Sequence, residues 1–140
     1  MSAPAAPVAD EGRIRRLVER VNAGKGDNGA LREVMSPDVV LHAEGISPLG
    51  GTHRGLDQAL SRFPILFDLS GGTLVLEPLE FVVDDHFALF LQRATATRGS
   101  ARLDHVITVI WRFRGGQVVE MWDHFADVDE WDRFWTEAPR

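Results

Sequence analysis

The sequence contains no cysteine among its 140 residues. This absence excludes disulfides, thiolate metal ligands and a cysteine nucleophile, and it fits a reducing compartment, so we expect a cytoplasmic protein. Basic residues are also in the minority, since 15 lysines and arginines face 21 aspartates and glutamates and give a net charge of −6. They form no cluster that could follow a phosphate backbone, and a nucleic-acid partner is therefore not expected.

Long apolar runs and phosphate-binding glycine loops are missing as well. No stretch approaches the length of a membrane span, which argues against a membrane partner. No glycine-rich loop joins a strand to a helix, and nothing indicates a nicotinamide, a flavin or a haem, so we expect no cofactor. Residues 1–9 lack the basic and apolar regions of a signal peptide. We predict a disordered lead there and a single domain over residues 10–137, because this length supports one core.

Helical periodicity is present in the first half of the chain. Apolar residues recur at helical spacing after Asp10, which is a plausible N-cap, and they predict an amphipathic helix that ends near Gly24. Pro64 is expected to end a later helix. The predicted elements are helix 11–23, helix 29–35, strand 39–43, loop 45–52, helix 56–63 and an apolar connector at 65–69.

The period changes to two from residue 73 onward, which predicts strands. Pro78 indicates an edge position or a bulge. The predicted elements are strands 74–83, 86–97 and 103–113, then a glycine loop at 114–116 and the second strand of this β-hairpin within the segment 112–127. A closing helix follows over 127–135, with Asp127 and Glu130 in capping-box positions. Helices followed by strands predict an α+β fold, in which a cone-shaped, strongly curved, mixed or antiparallel sheet wraps around the N-terminal helices and leaves an internal apolar pocket.

Asp123 is the first candidate for a functional residue. If Val119, Met121 and Phe125 face the interior, two-residue alternation along the last strand places Asp123 on the same face. An ionised carboxylate is costly to bury without a partner, so it must be paired, have a shifted pKa or contact a ligand that uses it. The alternatives are a structural bond to Arg93 and an outward orientation in a register shifted by one residue.

His105 and Arg93 are the other two candidates. His105 shares the inward parity and is predicted to lie near Phe125 and diagonal to Asp123, where it could exchange a proton or orient a hydroxyl. A core histidine with satisfied hydrogen bonds is the alternative. Arg93 could hold Asp123 ionised, bind a substrate carbonyl or only extend to a strand end.

Three further polar residues raise the question of a metal site. His42, Glu44 and His53 follow no metal-ligand spacing, so a structural role or a place at the pocket mouth is favoured, and no metal is expected. The outer face of the sheet is expected to carry an apolar patch, which predicts a homodimer packed sheet to sheet. Its residues are Val106, Thr108, Ile110, Val118 and Trp122.

Several motifs resemble those of the SnoaL-like polyketide cyclase group. These are the PDVVLHAEG strand, the PLGGTHRG turn and the segment RFRGGQVVEMWDHFAD before an aromatic helix. The group belongs to the nuclear transport factor 2-like superfamily, with ketosteroid isomerases and limonene epoxide hydrolases. The resemblance covers residues 11–135 and implies the cone fold. It also matches Asp123, in an E-x-W-D context, to the acid/base aspartate of the cyclases.

The resemblance carries over only in part at other positions. Arg93 matches the active-site arginine of the epoxide hydrolases, whereas Thr95 stands in the place of their second aspartate. Leu41 and Ala43 replace polar residues that hold their water, and Val109 replaces polar residues of the isomerases and cyclases. With apolar neighbours on the same predicted faces, the expected substrate-binding set is Leu41, Ala43, Phe63, Phe67, Leu91, Thr95, Ile107, Val109, Met121, Phe125 and Trp131.

The resemblance implies a small cofactor-independent enzyme of secondary metabolism, in the lyase or isomerase class. Asp123, with His105 and Arg93, would then perform acid/base catalysis of cyclisation, isomerisation or a related proton transfer on a hydrophobic polyketide-like substrate. Two alternatives stay open. One is a non-catalytic protein that binds a small molecule, and the other is an epoxide-opening hydrolase or cyclase that uses Arg93 and Asp123.

Overall fold

The computed structural model describes residues 10–26 and 29–137. The predicted disordered lead, residues 1–9, lies outside these ranges. In chain order the elements are α1 (Glu11–Ala23), α2 (Gly29–Arg32), β1 (Met35–Ala43), β2 (Gly51–Arg54), α3 (Leu56–Leu60), α4 (Arg62–Leu69), β3 (Val75–Val83), β4 (Phe87–Arg98), β5 (Ala101–Arg114), β6 (Gln117–Phe125) and α5 (Val128–Thr136).

The strands form one six-stranded sheet in the order β2-β1-β6-β5-β4-β3. All neighbours pair antiparallel except β1 and β6, which pair parallel, so the sheet is mixed. It is curved and unclosed, and the predicted α+β cone fold is confirmed. No helix in residues 10–26 and 29–137 has the length and apolar character needed to cross a membrane.

Register shifts interrupt three of the strand pairs. One lies between Pro78 and Glu80 of β3, which is an edge strand of the sheet. Pro78 therefore lies both on an edge strand and next to a register shift, the two positions that a proline within a strand indicates. Another lies between Arg112 and Phe113, where β6 has one extra residue. A bulge of this kind bends a strand and increases its twist, so the irregularities favour the curvature of the sheet.

Helix α1 packs against β3, α3 packs against β1, and α5 packs against β5 and β6. Asp10 caps α1, since its carboxylate accepts a hydrogen bond from the backbone N–H of Arg13 at 3.1 Å. The buried side of α1 consists of the predicted apolar residues, Ile14, Leu17, Val18 and Val21. Helices and sheet share one apolar core, in which Trp131, Phe67 and Phe90 are the largest fully buried side chains.

Pro64 does not end a helix as predicted. It is the third residue of α4, in a first turn whose backbone N–H groups have no acceptor within the helix, so a residue without this donor fits there. The helix expected over 56–63 therefore ends earlier, at Leu60, and the apolar connector at 65–69 is the body of α4.

Three strand predictions are also corrected. Strand β1 begins at Met35 and runs through Pro37, where a break was expected, because Met35 pairs with Val118. Residues Gly51–Arg54 form strand β2, although residues 45–52 were predicted to be a loop. In β6 the extra residue places Val118 in the core and leaves Val119 half-buried, so Val118 is not part of an exposed outer patch.

Candidate active site

A cavity lies between helices α1, α2 and α4 and the inner face of the sheet. Ten of the side chains that line it are apolar, and the two polar ones are Gln92 and Asp123. The lining residues are Val18, Val21, Leu31, Met35, Phe63, Leu76, Phe90, Gln92, Val109, Trp111, Met121 and Asp123. Water-sized molecules can occupy about 50 Å³ of this space. At the ~10–15 Å³ that one water needs, this is room for about four waters.

Asp123 lies in the middle of the sheet. It pairs with Val109 of β5 on one side and with Ala43 of β1 on the other. The residue is 7% exposed. Its carboxyl forms no hydrogen bond or ion pair with any other residue of the described ranges. Burial therefore acts on the charged form without compensation, and it raises the pKa of Asp123 from 3.8 to about 7.

This pKa suits proton transfer at neutral pH. A carboxyl group with a pKa near 7 is present in both its acidic and its basic form, whereas an ordinary aspartate is almost completely ionised. The carboxylate is also a stronger base than an exposed one. Asp123 can thus take up a proton from a bound molecule and return it.

A second, open recess also reaches Asp123, from the edge of the sheet formed by β2. Its lining residues are His42, Ala43, Glu44, Gly51, Thr52, Asp123 and His124. Ala43 and Gly51 continue the cross-strand row that starts at Asp123, and neither has a side chain large enough to cover it. Asp123 consequently lies between the apolar cavity and a polar edge of the sheet.

Gln92 is a site residue that the sequence analysis did not identify. It lies on β4, pairs with Ile107 and is 8% exposed. Its side-chain amide forms no hydrogen bond with another residue in the described part of the chain. Both faces of β4 are rich in apolar residues, so alternation alone did not show which face is buried. The charge of the neighbouring Arg93 was the available signal, because an arginine favours the solvent-facing side.

Arg93 does not share the cavity with Asp123. The buried residues of β4 are Ala88, Phe90, Gln92, Ala94 and Ala96, which places the alternate residues on the outer face. The exposed guanidinium group of Arg93 forms a bidentate pair with Asp104, at 2.7 Å from Nε to Oδ1 and 2.5 Å from Nη2 to Oδ2. The same correction applies to Leu91 and Thr95, which were expected in the pocket.

His105 is buried near Phe125, as expected, with 6.3 Å between the ring centroids. It is not diagonal to Asp123, because Val109 is the residue of β5 that pairs with Asp123. Both ring nitrogens are used at the start of α5. Nδ1 contacts Oε1 of Glu130 at 3.1 Å, and Nε2 accepts a hydrogen bond from the backbone N–H of Asp127 at 3.2 Å.

The remaining predicted pocket residues divide into two groups. Phe63, Val109 and Met121 line the cavity together with Asp123. The others do not line the cavity; five of them belong to the apolar core, and Ala43 lines the open recess. The core members are Leu41, Phe67, Ile107, Phe125 and Trp131.

His42, Glu44 and His53 do not converge on a metal site. The Nε2 atom of His42 lies 2.6 Å from the carboxylate of Glu120, and Glu44 accepts a hydrogen bond from the backbone N–H of Phe125 at 3.1 Å. His53 contacts two backbone carbonyls. Within residues 10–26 and 29–137 there is no group of three or more histidines, aspartates or glutamates that could hold a metal ion.

Comparison with known proteins gives one family match. The family model described as the SnoaL-like domain matches residues 14–121, so Asp123 lies two positions beyond the matched segment. No curated protein matches this chain.

Solved structures show the same fold. Bal32a, from a soil-derived mobile gene cassette, is 30% identical over 87% of this chain and 92% of that one, with a TM-score of 0.79. A nuclear transport factor 2-like protein of unknown function from Burkholderia pseudomallei is 25% identical over 86% and 93%, with a TM-score of 0.70. A candidate SnoaL-like polyketide cyclase from Jannaschia sp. CCS1 covers 99% and 100% at 17% identity and a TM-score of 0.69, which shows likeness of fold alone.

Proposed function

Because the chain belongs to the SnoaL-like domain family, as its motifs predicted, we propose that it is a small cofactor-independent enzyme. It performs acid/base catalysis on a hydrophobic, polyketide-like substrate. The observation that supports this proposal is the state of Asp123, a buried carboxyl group without a protein partner, with a pKa of about 7, in the wall of an apolar cavity. Structural aspartates are normally paired, and a shifted pKa in a cleft is typical of functional sites.

The proposed chemistry is a proton transfer next to a carbonyl group. The ionised carboxylate of Asp123 removes a proton from carbon, and the electron pair of the broken C–H bond moves into the enolate. Protonated Asp123 then returns the proton to a different atom of the substrate, so no oxidant or reductant is needed. A substrate that fills the apolar cavity displaces the water that would compete for the enolate.

A ring-sized substrate requires movement of the lining. The available 50 Å³ is smaller than the ~150 Å³ cavity that accepts benzene in an engineered protein. Met35 and Met121 are the lining residues best suited to move, since methionine is unbranched and has three rotatable bonds. We expect their rotation to open the cavity towards the helices.

The geometry favours one of the two alternatives over the other. Epoxide opening by Arg93 and Asp123 is not supported, because Arg93 lies on the outer face and is paired with Asp104. Non-catalytic binding has a specific observation in its favour, which is that Asp123 is the one ionisable side chain in the lining of the described cavity. An experiment must therefore separate binding from turnover.

The test is deuterium incorporation into 2-tetralone, a bicyclic ketone with acidic hydrogens beside its carbonyl, followed by proton NMR in D₂O. The wild-type protein should accelerate exchange, with a rate that rises with pH through about 7. Asp123→Asn should lower the protein-dependent rate by roughly 100-fold or more, the usual contribution of a general base. Asp104→Asn is the matched control on the outer face and should keep the rate. Exchange that survives Asp123→Asn contradicts the mechanism, and binding without exchange favours a binding protein.

A further inference from the structure

Gln92 is the second polar group of the cavity. We infer that Gln92 is a ligand-binding residue, and that the cavity takes an apolar molecule with two separate oxygen functions, one held by Asp123 and the other by Gln92. This inference rests on the proposed function, since it concerns the same cavity, and it extends that function by specifying the chemistry of the ligand.

The burial of Gln92 is the first argument. Its side chain is buried in a wall that is otherwise apolar apart from Asp123, and its amide has no hydrogen-bond partner among the described residues. The amide atoms are not among the fully buried side-chain atoms that lack a hydrogen-bond partner, so they are open to the cavity and can bond a water or a ligand there. A leucine or a methionine would fit this apolar wall, so the amide points to a polar group that enters the cavity.

The spacing of the two polar groups is the second argument. Gln92 pairs with Ile107 and Asp123 pairs with Val109, so one strand lies between them and they are offset by two residues. Two strand spacings of ~4.8 Å and two residue rises of ~3.3 Å put their Cα atoms roughly 12 Å apart on a flat sheet. No hydrogen bond joins the two side chains, although both line the cavity. A molecule between them can bond both.

The chemistry of the two groups defines the ligand. An amide both donates and accepts hydrogen bonds, so Gln92 can bind either a carbonyl or a hydroxyl group. Asp123 donates to a carbonyl when it is protonated and accepts from a hydroxyl when it is ionised. The ligand therefore carries a ketone or a hydroxyl at each of two positions of an apolar frame, and Asp123 acts on one while Gln92 holds the other in place.

Calorimetry with two probes tests this inference. The probes are 2-tetralone and 6-hydroxy-2-tetralone, which differ by one hydroxyl group on the far side of the bicyclic frame. Wild-type protein should bind the hydroxylated probe about threefold to tenfold more tightly, the value of one added hydrogen bond. Gln92→Leu should abolish this preference and leave the affinity for 2-tetralone within about twofold. Gln92→Met is the second variant, should the branched side chain disturb the fold.

Two controls separate the failure of this inference from the failure of the proposed function. Gln58→Met, at an exposed position of α3, should keep the preference. Asp123→Asn should lose exchange and keep the preference, because Gln92 is intact. An equal preference in wild type and both Gln92 variants overturns the role of Gln92 and leaves the role of Asp123 standing. If neither probe binds the wild-type protein, the assigned ligand class is wrong.

Discussion

The imidazole of His105 accepts the backbone N–H of Asp127 at 3.2 Å, the donor that a capping box normally assigns to the side chain of its fourth residue. That fourth residue, Glu130, contacts the other ring nitrogen of His105 at 3.1 Å. Asp127 completes the arrangement by accepting the backbone N–H of Glu130 at 3.1 Å. The predicted capping box is thus present in modified form, because the imidazole of His105 bridges the backbone N–H of Asp127 and the side chain of Glu130. Its geometry assigns the neutral tautomer with the proton on Nδ1.

Replacement of His105 by leucine should destabilise the protein. The variant leaves the part-buried N–H of Asp127 without its acceptor and removes the contact with Glu130, so the free energy of unfolding should fall by about 1–3 kcal/mol. Chemical denaturation measures this change. His86→Leu, at an exposed position of the β3 to β4 turn, is the control and should change stability by less than about 0.5 kcal/mol.

The same variant separates a structural from a catalytic role for His105. If His105 only positions α5, then the folded fraction of His105→Leu should catalyse deuterium exchange at the wild-type rate. A variant with wild-type stability and lost exchange would instead support the catalytic role that the sequence analysis considered.

Asp123→Asn should stabilise the protein above neutral pH. Wild-type Asp123 has a folded pKa of about 7 against 3.8 in an exposed setting, so the folded state holds a proton that the unfolded state has lost between these values. Wild-type stability therefore falls as pH rises from about 4 to 7 and is level above that. At ~1.36 kcal/mol per pKa unit the loss amounts to about 4 kcal/mol. Asparagine has no charge to bury, so the Asp123→Asn variant does not lose this stability.

Urea denaturation of both proteins at pH 4, 5.5, 7 and 8 measures this effect. The advantage of Asp123→Asn should grow between pH 4 and 7 and then stay constant. The comparison cancels the other carboxyl groups, which are the same in both proteins. An advantage that does not change with pH would show that the pKa of Asp123 is not raised.

Local patterns predicted the parts of this fold that depend on local interactions. The first helix, its cap at Asp10 and the closing helix follow from side-chain spacing and capping chemistry. The final strand turns through Gly115 and Gly116, both at positive φ, which a two-residue hairpin of this kind requires. Beyond the extra residue near Val119, two-residue alternation places Met121, Asp123 and Phe125 on the buried face, so the inward position of Asp123 was correctly predicted, whereas its pairing with Val109 was not.

Non-local features could not be predicted in the same way. The buried face of β4 depends on which side the helices cover, and both faces carry apolar residues, so Arg93 was expected inside and Gln92 outside. The parallel pairing of β1 with β6 joins segments about 80 residues apart and leaves no local signal. The position of His105 relative to Asp123 required the register of two strands together with the placement of α5.

Asp132 should contribute to stability by holding the loop after β1 against α5. Its carboxylate accepts the backbone N–H groups of Ile46 and Ser47, both at 3.0 Å. Asp132→Ala leaves these donors without their acceptor, and we expect a loss of about 1–3 kcal/mol in thermal or chemical unfolding. Asp129→Ala, on the exposed side of the same helix, should cost less than about 1 kcal/mol, the usual value of a charge in a first turn. Equal effects would contradict a specific role for Asp132.

The outer face of the sheet carries an apolar row that crosses four strands. Val82 pairs with Leu89, Leu89 with Ile110, and Ile110 with Trp122. Val82 is 72% exposed and Leu89 is 39% exposed. Val118, which was predicted for the outer patch, is buried in the core. Val82 and Leu89 extend the apolar surface of that face instead. An apolar surface that continues over several strands is typical of a subunit contact, so a homodimer packed sheet to sheet remains our expectation.

Light scattering at several protein concentrations tests this expectation. Wild-type protein should have the mass of a dimer, and Leu89→Glu should shift it to a monomer, because a buried carboxylate in the centre of an apolar contact has no partner. Ile46→Glu is the matched control, since Ile46 is also exposed but lies in the loop after β1, outside this row. It should keep the dimer mass. A wild-type mass that equals one chain at every concentration contradicts the dimer, and a dimer that survives Leu89→Glu places the contact on another surface.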